Sequence, residues 1–224
     1  MHVRGDRPRT RALNLCSDVS GNLLESLPVG IGSLAQLTEL SVSHNLLQSL
    51  PSTTGDLHKL RRIDVSHNLL ESLPNTIGDL HGLDSIDVSH NRLKLLPTMP
   101  ADLGWLTASH NRIESLPPTI GDLHTLESLD VSHNRLTLLP STIGDLHKLD
   151  RINVGSNDLT ELPDSMVDLS TLTLLNVSSN RLLSLPDAIA AEMPGLCDID
   201  ASFNKLTTLP TTWDGKEACL CLKL

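Results

Sequence analysis

The stretch LRRIDVSHNLLESLPNTIGDL, Leu60 to Leu80, changes its apolar period partway along. Ile63 and Val65 alternate with Arg62, Asp64 and Ser66, which is the period of a short strand with one face turned inward. Asn68 stands three residues after Val65 and ends the strand, where a short amide can bond the turning backbone of its own and the adjacent coil. Leu73-Pro74 follows. The proline fixes φ and withholds an N–H, so the return arc is expected to be extended or turn-like and not a long helix. Gly78 then permits the bend back towards the next strand.

The same stretch recurs along the chain. Asn22, Asn45, Asn68, Asn91, Asn111, Asn134, Asn157, Asn180 and Asn204 are separated by 23, 23, 23, 20, 23, 23, 23 and 24 residues. From Leu37 onward eight units fit LxxLxVSHNxLxxLPxTIGDL, and the unit ending at Asn22, NLCSDVSGN, is degenerate as a terminal capping unit should be. One unit cannot bury its own leucine face, but coils stacked at the strand spacing of ~4.8 Å make a continuous core ~40 Å long. The gap of 20 arises in LKLLPTMPADLGWLTASHN, where PTMPADL shortens the return arc and tightens it locally. The gap of 24 contains DAIAAEM, which reads as a helical turn stopped by Pro194.

These features predict an α/β repeat solenoid: a horseshoe with a concave parallel β-sheet and a mostly irregular or short-turn convex arc. The expected organisation is a basic arm over 1–11, a repeat domain of about nine units over 12–215, and a truncated terminal strand or tail over 216–224. The pattern resembles the leucine-rich repeat. Its 23-residue unit with LPxxIGxL resembles the Ras-group type, which comprises the plant intracellular family and the animal scaffold joining a Ras GTPase to a phosphatase. LNVSSNRLLSLPDAIA and IDASFNKLTTLPTTW are especially similar to the plant members. The short unit also resembles the 20-residue repeats of bacterial effector ubiquitin ligases, but occurs once, and no part of these 224 residues reads as a ligase domain. The resemblance implies a protein partner, with a Ras-family GTPase or a phosphatase as the first candidates.

Composition narrows the function classes. Of 224 residues 39% are hydrophobic and 1% aromatic, so Leu, Ile and Val carry the core. The formal net charge is -10; residues 1–11 carry +3, leaving -13 on the rest. An acidic body with almost no stacking aromatics argues against nucleic acid. No run of ~18 apolar residues reaches across a bilayer and the N-terminus has no apolar signal region, so a cytoplasmic protein with little membrane association is expected. Four cysteines are then expected as free thiols. CLKL, Cys221 to Leu224, has the outline of a prenylation box, against which stand Lys223 and the absence of a polybasic segment. Register favours a strand instead: counting on from Pro210, Trp213 takes the Ile place, and Cys219, Leu222 and Leu224 take the inward places. Its unfinished, apolar end predicts an edge-to-edge dimer, marginal stability, or continuation in a longer chain.

On each strand the residues flanking the second apolar position face outward. One series is Glu39, Arg62, Ser85, Trp105, Ser128, Arg151, Leu174 and Asp198; the other is Ser41, Asp64, Asp87, Thr107, Asp130, Asn153, Asn176 and Asp200. A large aromatic flanked by arginines and carboxylates on a concave surface has the composition of a protein-binding hot spot. The alternative is that Trp105 fills space left by the shortened unit. His44, His67, His90, His110 and His133 form a further column continued by Ser156, Ser179 and Phe203, and Phe203 joins the candidate surface as an aromatic at its end. Metal binding or pH sensing is the chemical reading of this column, but imidazoles in line do not give tetrahedral geometry, and a solvated corner is the simpler one. His58, His81, His124 and His147 read as a solvated convex face.

The remaining short matches carry no chemistry. Gly30, Gly32 and Ala35 fit a dinucleotide pattern without its βαβ unit, Arg4-Gly5-Asp6 an integrin tripeptide, and Asn176-Val177-Ser178 a glycosylation sequon placed on a strand. No GxxxxGK[ST], HExxH, GxSxG or CxxC occurs, so no enzyme activity and no cofactor are expected. The expected function is a non-catalytic intracellular interaction scaffold whose concave sheet binds a folded partner. The alternative is the substrate-recognition part of a larger ubiquitin ligase or kinase.

Overall fold

A computed structural model of the chain describes residues 15–210 and 221–224. The basic arm over 1–11, and Trp213 and Cys219 of the C-terminal register, lie outside them. Ten strands form one parallel sheet in strict sequence order: Leu15–Asp18 (β1), Leu37–Ser41 (β2), Arg62–Asp64 (β3), Ser85–Asp87 (β4), Trp105–Thr107 (β5), Ser128–Asp130 (β6), Arg151–Asn153 (β7), Leu174–Asn176 (β8), Asp198–Asp200 (β9) and Cys221–Lys223 (β10). Most are only three residues long, because the turn begins directly after the Val position. Strand after strand is added without crossing over, so the sheet is open and the chain is a solenoid.

Each coil sends the same set of residues inward. Leu60, Ile63, Val65, Leu70, Leu73, Ile77 and Leu80 are all buried, and the equivalent residues of the other coils continue them into one core. Burying one such side chain contributes roughly 1.5–3 kcal/mol, and since each coil covers its neighbour, the stabilisation grows with the stack.

The convex side consists of five-residue 3₁₀ helices: Val29–Ser33, Ser52–Asp56, Asn75–Asp79, Pro118–Asp122, Ser141–Asp145 and Asp164–Asp168. Each follows a proline held at φ of -66° to -67°, whose carbonyl accepts the first i→i+3 bond, as from Ile77 N to Pro74 O at 3.0 Å. That bond turns the Ile side chain into the core. Hydroxyls stitch the arc to the previous coil: Thr53 donates to Val29 O at 2.7 Å, Thr76 to Ser52 O at 2.7 Å, and Ser165 to Ser141 O at 2.6 Å. The glycine of the repeat has a different reason from the expected bend. Its φ is not left-handed; a Cβ on Gly55 would instead lie 2.4 Å from Thr76 O, so only glycine lets the next arc approach.

Between β4 and β5 no 3₁₀ helix forms, and Met99 and Leu103 fill the core where the shortened arc passes. The longest arc contains the α-helix Asp187–Glu192 (α1), followed by Pro194. Cys197 is disulfide-bonded, which corrects the expectation of free thiols throughout, while Cys16 and Cys221 are free.

The asparagine column holds the coils in register. Asn91 Nδ2 donates to Val88 O and Ser89 O in its own turn, at 3.0 and 3.1 Å, and to Val65 O of the preceding coil at 3.0 Å. Its Oδ1 accepts the amide of Leu70, also in the preceding coil, at 2.9 Å. The same four bonds recur at Asn45, Asn68, Asn111, Asn134, Asn157, Asn180 and Asn204.

Candidate protein-binding face

Parallel pairing places the outward residues in two straight rows. Glu39, Arg62, Ser85, Trp105, Ser128, Arg151, Leu174, Asp198 and Cys221 are successive register partners, and so are Ser41, Asp64, Asp87, Thr107, Asp130, Asn153, Asn176, Asp200 and Lys223. Because register in a one-sided sheet is set by which face is apolar, residues spaced 23 apart become neighbours at strand spacing.

Trp105 is 42% exposed and stands on this face, opposite the shortened convex arc that Met99 and Leu103 fill. It therefore does not plug the gap in that arc. Its indole lines a groove of about 340 Å³ with Glu127, Ser128, Asp150 and Arg151. Asp150 takes the Arg151 Nε at 3.1 Å and the Thr173 hydroxyl at 2.6 Å. Glu127 and Asp150 stand one residue N-terminal to the first outward row and were not among the sequence candidates. Extending the register by a single position would have found them.

The second row is built differently. Each of its Asp residues uses Oδ1 to accept a backbone N–H two residues on: Asp64 from Ser66 at 2.9 Å, Asp87 from Ser89 at 2.8 Å, Asp130 from Ser132 at 2.9 Å and Asp200 from Ser202 at 3.1 Å. Asp18 of β1 does the same with Ser20 at 3.0 Å, and the Ser20 hydroxyl and amide hold its carboxyl below the usual range. Asn153 and Asn176 make the identical bond to Gly155 and Ser178 at 3.1 and 2.9 Å. Among the described residues only Asp200 of this row has an ion-pair partner, Lys223 at 3.8 Å. At the N-terminal end Cys16, Asp18, Glu39, Arg62, Asp64 and Asp87 line a second groove of about 400 Å³. There the Cys16 thiol donates to Glu39 at 3.4 Å, and that bond raises its pKa.

The histidine column borders the face. Consecutive rings from His44 to His133 stack with centroids 4.0 to 4.2 Å apart and planes within 9° to 11°. Burial lowers the pKa of His90 and His110, helped by neighbouring imidazoles and opposed by Asp87 and Asp130 respectively. Sequence reasoning overlooked the backbone here. All five histidines, with Ser156, Ser179 and Phe203, have φ between 51° and 57°. The clue lay in the capping unit, where SGN replaces SHN and Gly21 takes φ 67°. Among non-glycine residues, His is one of the few enriched in this left-handed region. Phe203 is 83% exposed at the end of this column, outside the two outward rows. Among the described residues no group of three or more His, Cys, Asp or Glu is arranged to hold a metal ion.

Known proteins agree with this architecture. The leucine rich repeat model matches residues 35–93, 102–159 and 125–182. No curated protein sequence matches significantly. Among solved structures, the leucine-rich effector protein YopM of Yersinia pestis is similar with TM-score 0.73 and 32% identity, over 88% of this chain and 51% of that one. The ectodomain of a membrane receptor kinase of Arabidopsis thaliana, solved in complex with CASPARIAN STRIP INTEGRITY FACTOR 2, aligns with TM-score 0.74 and 27% identity, over 86% of this chain and 24% of that one. Toll of Drosophila, solved with Spatzle, shares the fold with TM-score 0.78 at 22% identity, over 93% and 32%. The chain thus spans about half the length of the first of these and a third or less of the other two. The stacked coils, their asparagine column and the family match together make this chain a member of the leucine-rich repeat family.

Proposed function

We propose that the chain is a non-catalytic interaction module that docks a protein partner across the concave sheet, centred on Trp105 and Arg151, with Arg62 and Asp64 two strands away on the same face. The observation that carries this reading is the half-exposed indole, set in a groove with Glu127, Ser128, Asp150 and Arg151 on a face whose outward rows, Leu174 and Cys221 apart, are otherwise charged or small polar residues. A large aromatic left in water gains most when a partner desolvates it, and such anchors dominate interface energetics. The receptor ectodomain and Toll were each solved with a protein or peptide bound, which supports a protein ligand for this fold. By the Ras-group resemblance, a Ras-family GTPase or a signalling phosphatase is the first partner to try. Because the similar structures extend well beyond the aligned coils, the recognition part of a larger ubiquitin ligase or kinase is the second reading.

The test is affinity capture from lysate loaded with GTP or GDP, comparing the wild-type chain with a Trp105→Ala variant by mass spectrometry. A partner retained by the first and lost by the second is the expected result. Identical capture by both would move the site off the concave sheet.

A further inference from the structure

We infer that the segment docked on the concave sheet is basic, with Lys or Arg side chains seated on the carboxylates of the second outward row and against Trp105. This rests on the docking reading above and adds the partner's chemistry to it. The row's structural duty is to accept one backbone N–H two residues on, and neutral Asn153 and Asn176 perform it at 3.1 and 2.9 Å, against 2.8 to 2.9 Å for Asp64, Asp87 and Asp130. Ser41 and Thr107 hold the same register position with neither carboxylate nor amide. The fold therefore needs no negative charge here. Yet Asp64 and Asp87 face each other across adjacent strands, an arrangement in which like charges repel, and neither has an ion-pair partner among the described residues.

Each capped carboxylate spends Oδ1 on the backbone, and its orientation is thereby held, leaving Oδ2 with no ion pair among the described residues at Asp64, Asp87 and Asp130. A row of oriented carboxylates at multiples of the strand spacing fits cationic side chains projecting from a partner laid across the strands. The groove beside Trp105 repeats this chemistry with an aromatic wall and the carboxylates of Glu127 and Asp150, a setting in which an alkylammonium or guanidinium gains both cation–π and ionic contact. Arg151 answers part of that charge through Asp150, while Glu127 has no ion pair among the described residues.

The experiment uses the full chain with Trp213→Phe, which leaves Trp105 as its one tryptophan. Two probes, a short peptide of alternating Lys and Ser and its Glu-Ser counterpart, are titrated against Trp105 fluorescence and by calorimetry. Three proteins are compared: the parent, a concave Asp64→Asn, Asp87→Asn, Asp130→Asn triple, and a convex Asp56→Asn, Asp79→Asn, Asp122→Asn triple that loses the same net charge. Asparagine keeps the native cap and removes the repulsion between Asp64 and Asp87, so the concave triple should melt at or above the temperature of the parent. The basic peptide is expected to bind the parent and the convex triple, to bind the concave triple about tenfold more weakly, and to weaken as salt is added, with the acidic peptide inert. Equal loss in both triples would mean attraction by net charge alone and would overturn the inference. Failure of the basic peptide to outbind the acidic one would overturn it too. In either case a captured partner lost with Trp105→Ala would leave the docking reading standing.

Discussion

His90 and Asn91 are consecutive in the chain and recur together through five coils, yet they do opposite things. Asn91 is 8% exposed and ties two coils with four hydrogen bonds through its side chain. His90 is exposed at φ 52°, its ring stacks on those of His67 and His110, and its position is taken by Ser or Phe farther along. Its backbone amide, which donates to Ser109 O at 2.9 Å, is what the coil requires, and any residue but proline supplies that. Equal periodicity in a sequence therefore does not mean equal structural duty.

The largest expected effect separates the two columns directly. Asn91→Ala leaves three carbonyls and one amide without their side-chain partner inside the stack and should cost about 3–5 kcal/mol in urea unfolding, as expected for a broken buried network. His90→Ala keeps every backbone bond, and the left-handed penalty on Ala with the lost ring contact should cost about 1 kcal/mol. Comparable losses from the two variants would dissolve the distinction.

Thr54 sharpens the same point from the other side. It occupies a place held by Ile31, Ile77, Ile120 and Ile143 in other coils and is fully buried, and its hydroxyl has no hydrogen-bond partner among the described residues. Thr54→Val removes the orphan group at nearly constant shape and should stabilise the chain by about 1 kcal/mol, read as a higher urea midpoint. A lower midpoint would show that the hydroxyl has a partner in solution.

The smallest effect concerns pH. Burial lowers the folded pKa of His90 and His110, so the unfolded chain takes up protons first as pH falls. Their contribution to stability is full above the ordinary histidine value of ~6.5 and declines as pH drops through their lowered values. Urea midpoints at pH 7.5 and 5.5 should show this decline, and a His90→Ser, His110→Ser variant should flatten it. A midpoint rising towards acid would contradict the assigned direction.

Much of the architecture was legible because one period repeats. Ile63 and Val65 against Asp64 gave strand and facing, Asn68 gave the corner, and Pro74 excluded a long helix. The glycine was legible as a requirement but not for its reason, since the atom it avoids, Thr76 O, belongs to the next coil. The candidate face was half legible. Trp105 stood out by residue type, whereas Glu127 and Asp150 became visible only beside it. The disulfide at Cys197 was not legible, because spacing does not say which thiols meet.

Local pattern alone was enough to set coil length, strand facing and the inward leucines, since each follows from alternation, turn chemistry and burial within some twenty residues. Which outward side chains share a row, which carboxylates go unanswered, and which arcs must carry glycine were decided by stacking. Those relations join residues a full coil apart, and only the register between coils brings their atoms together.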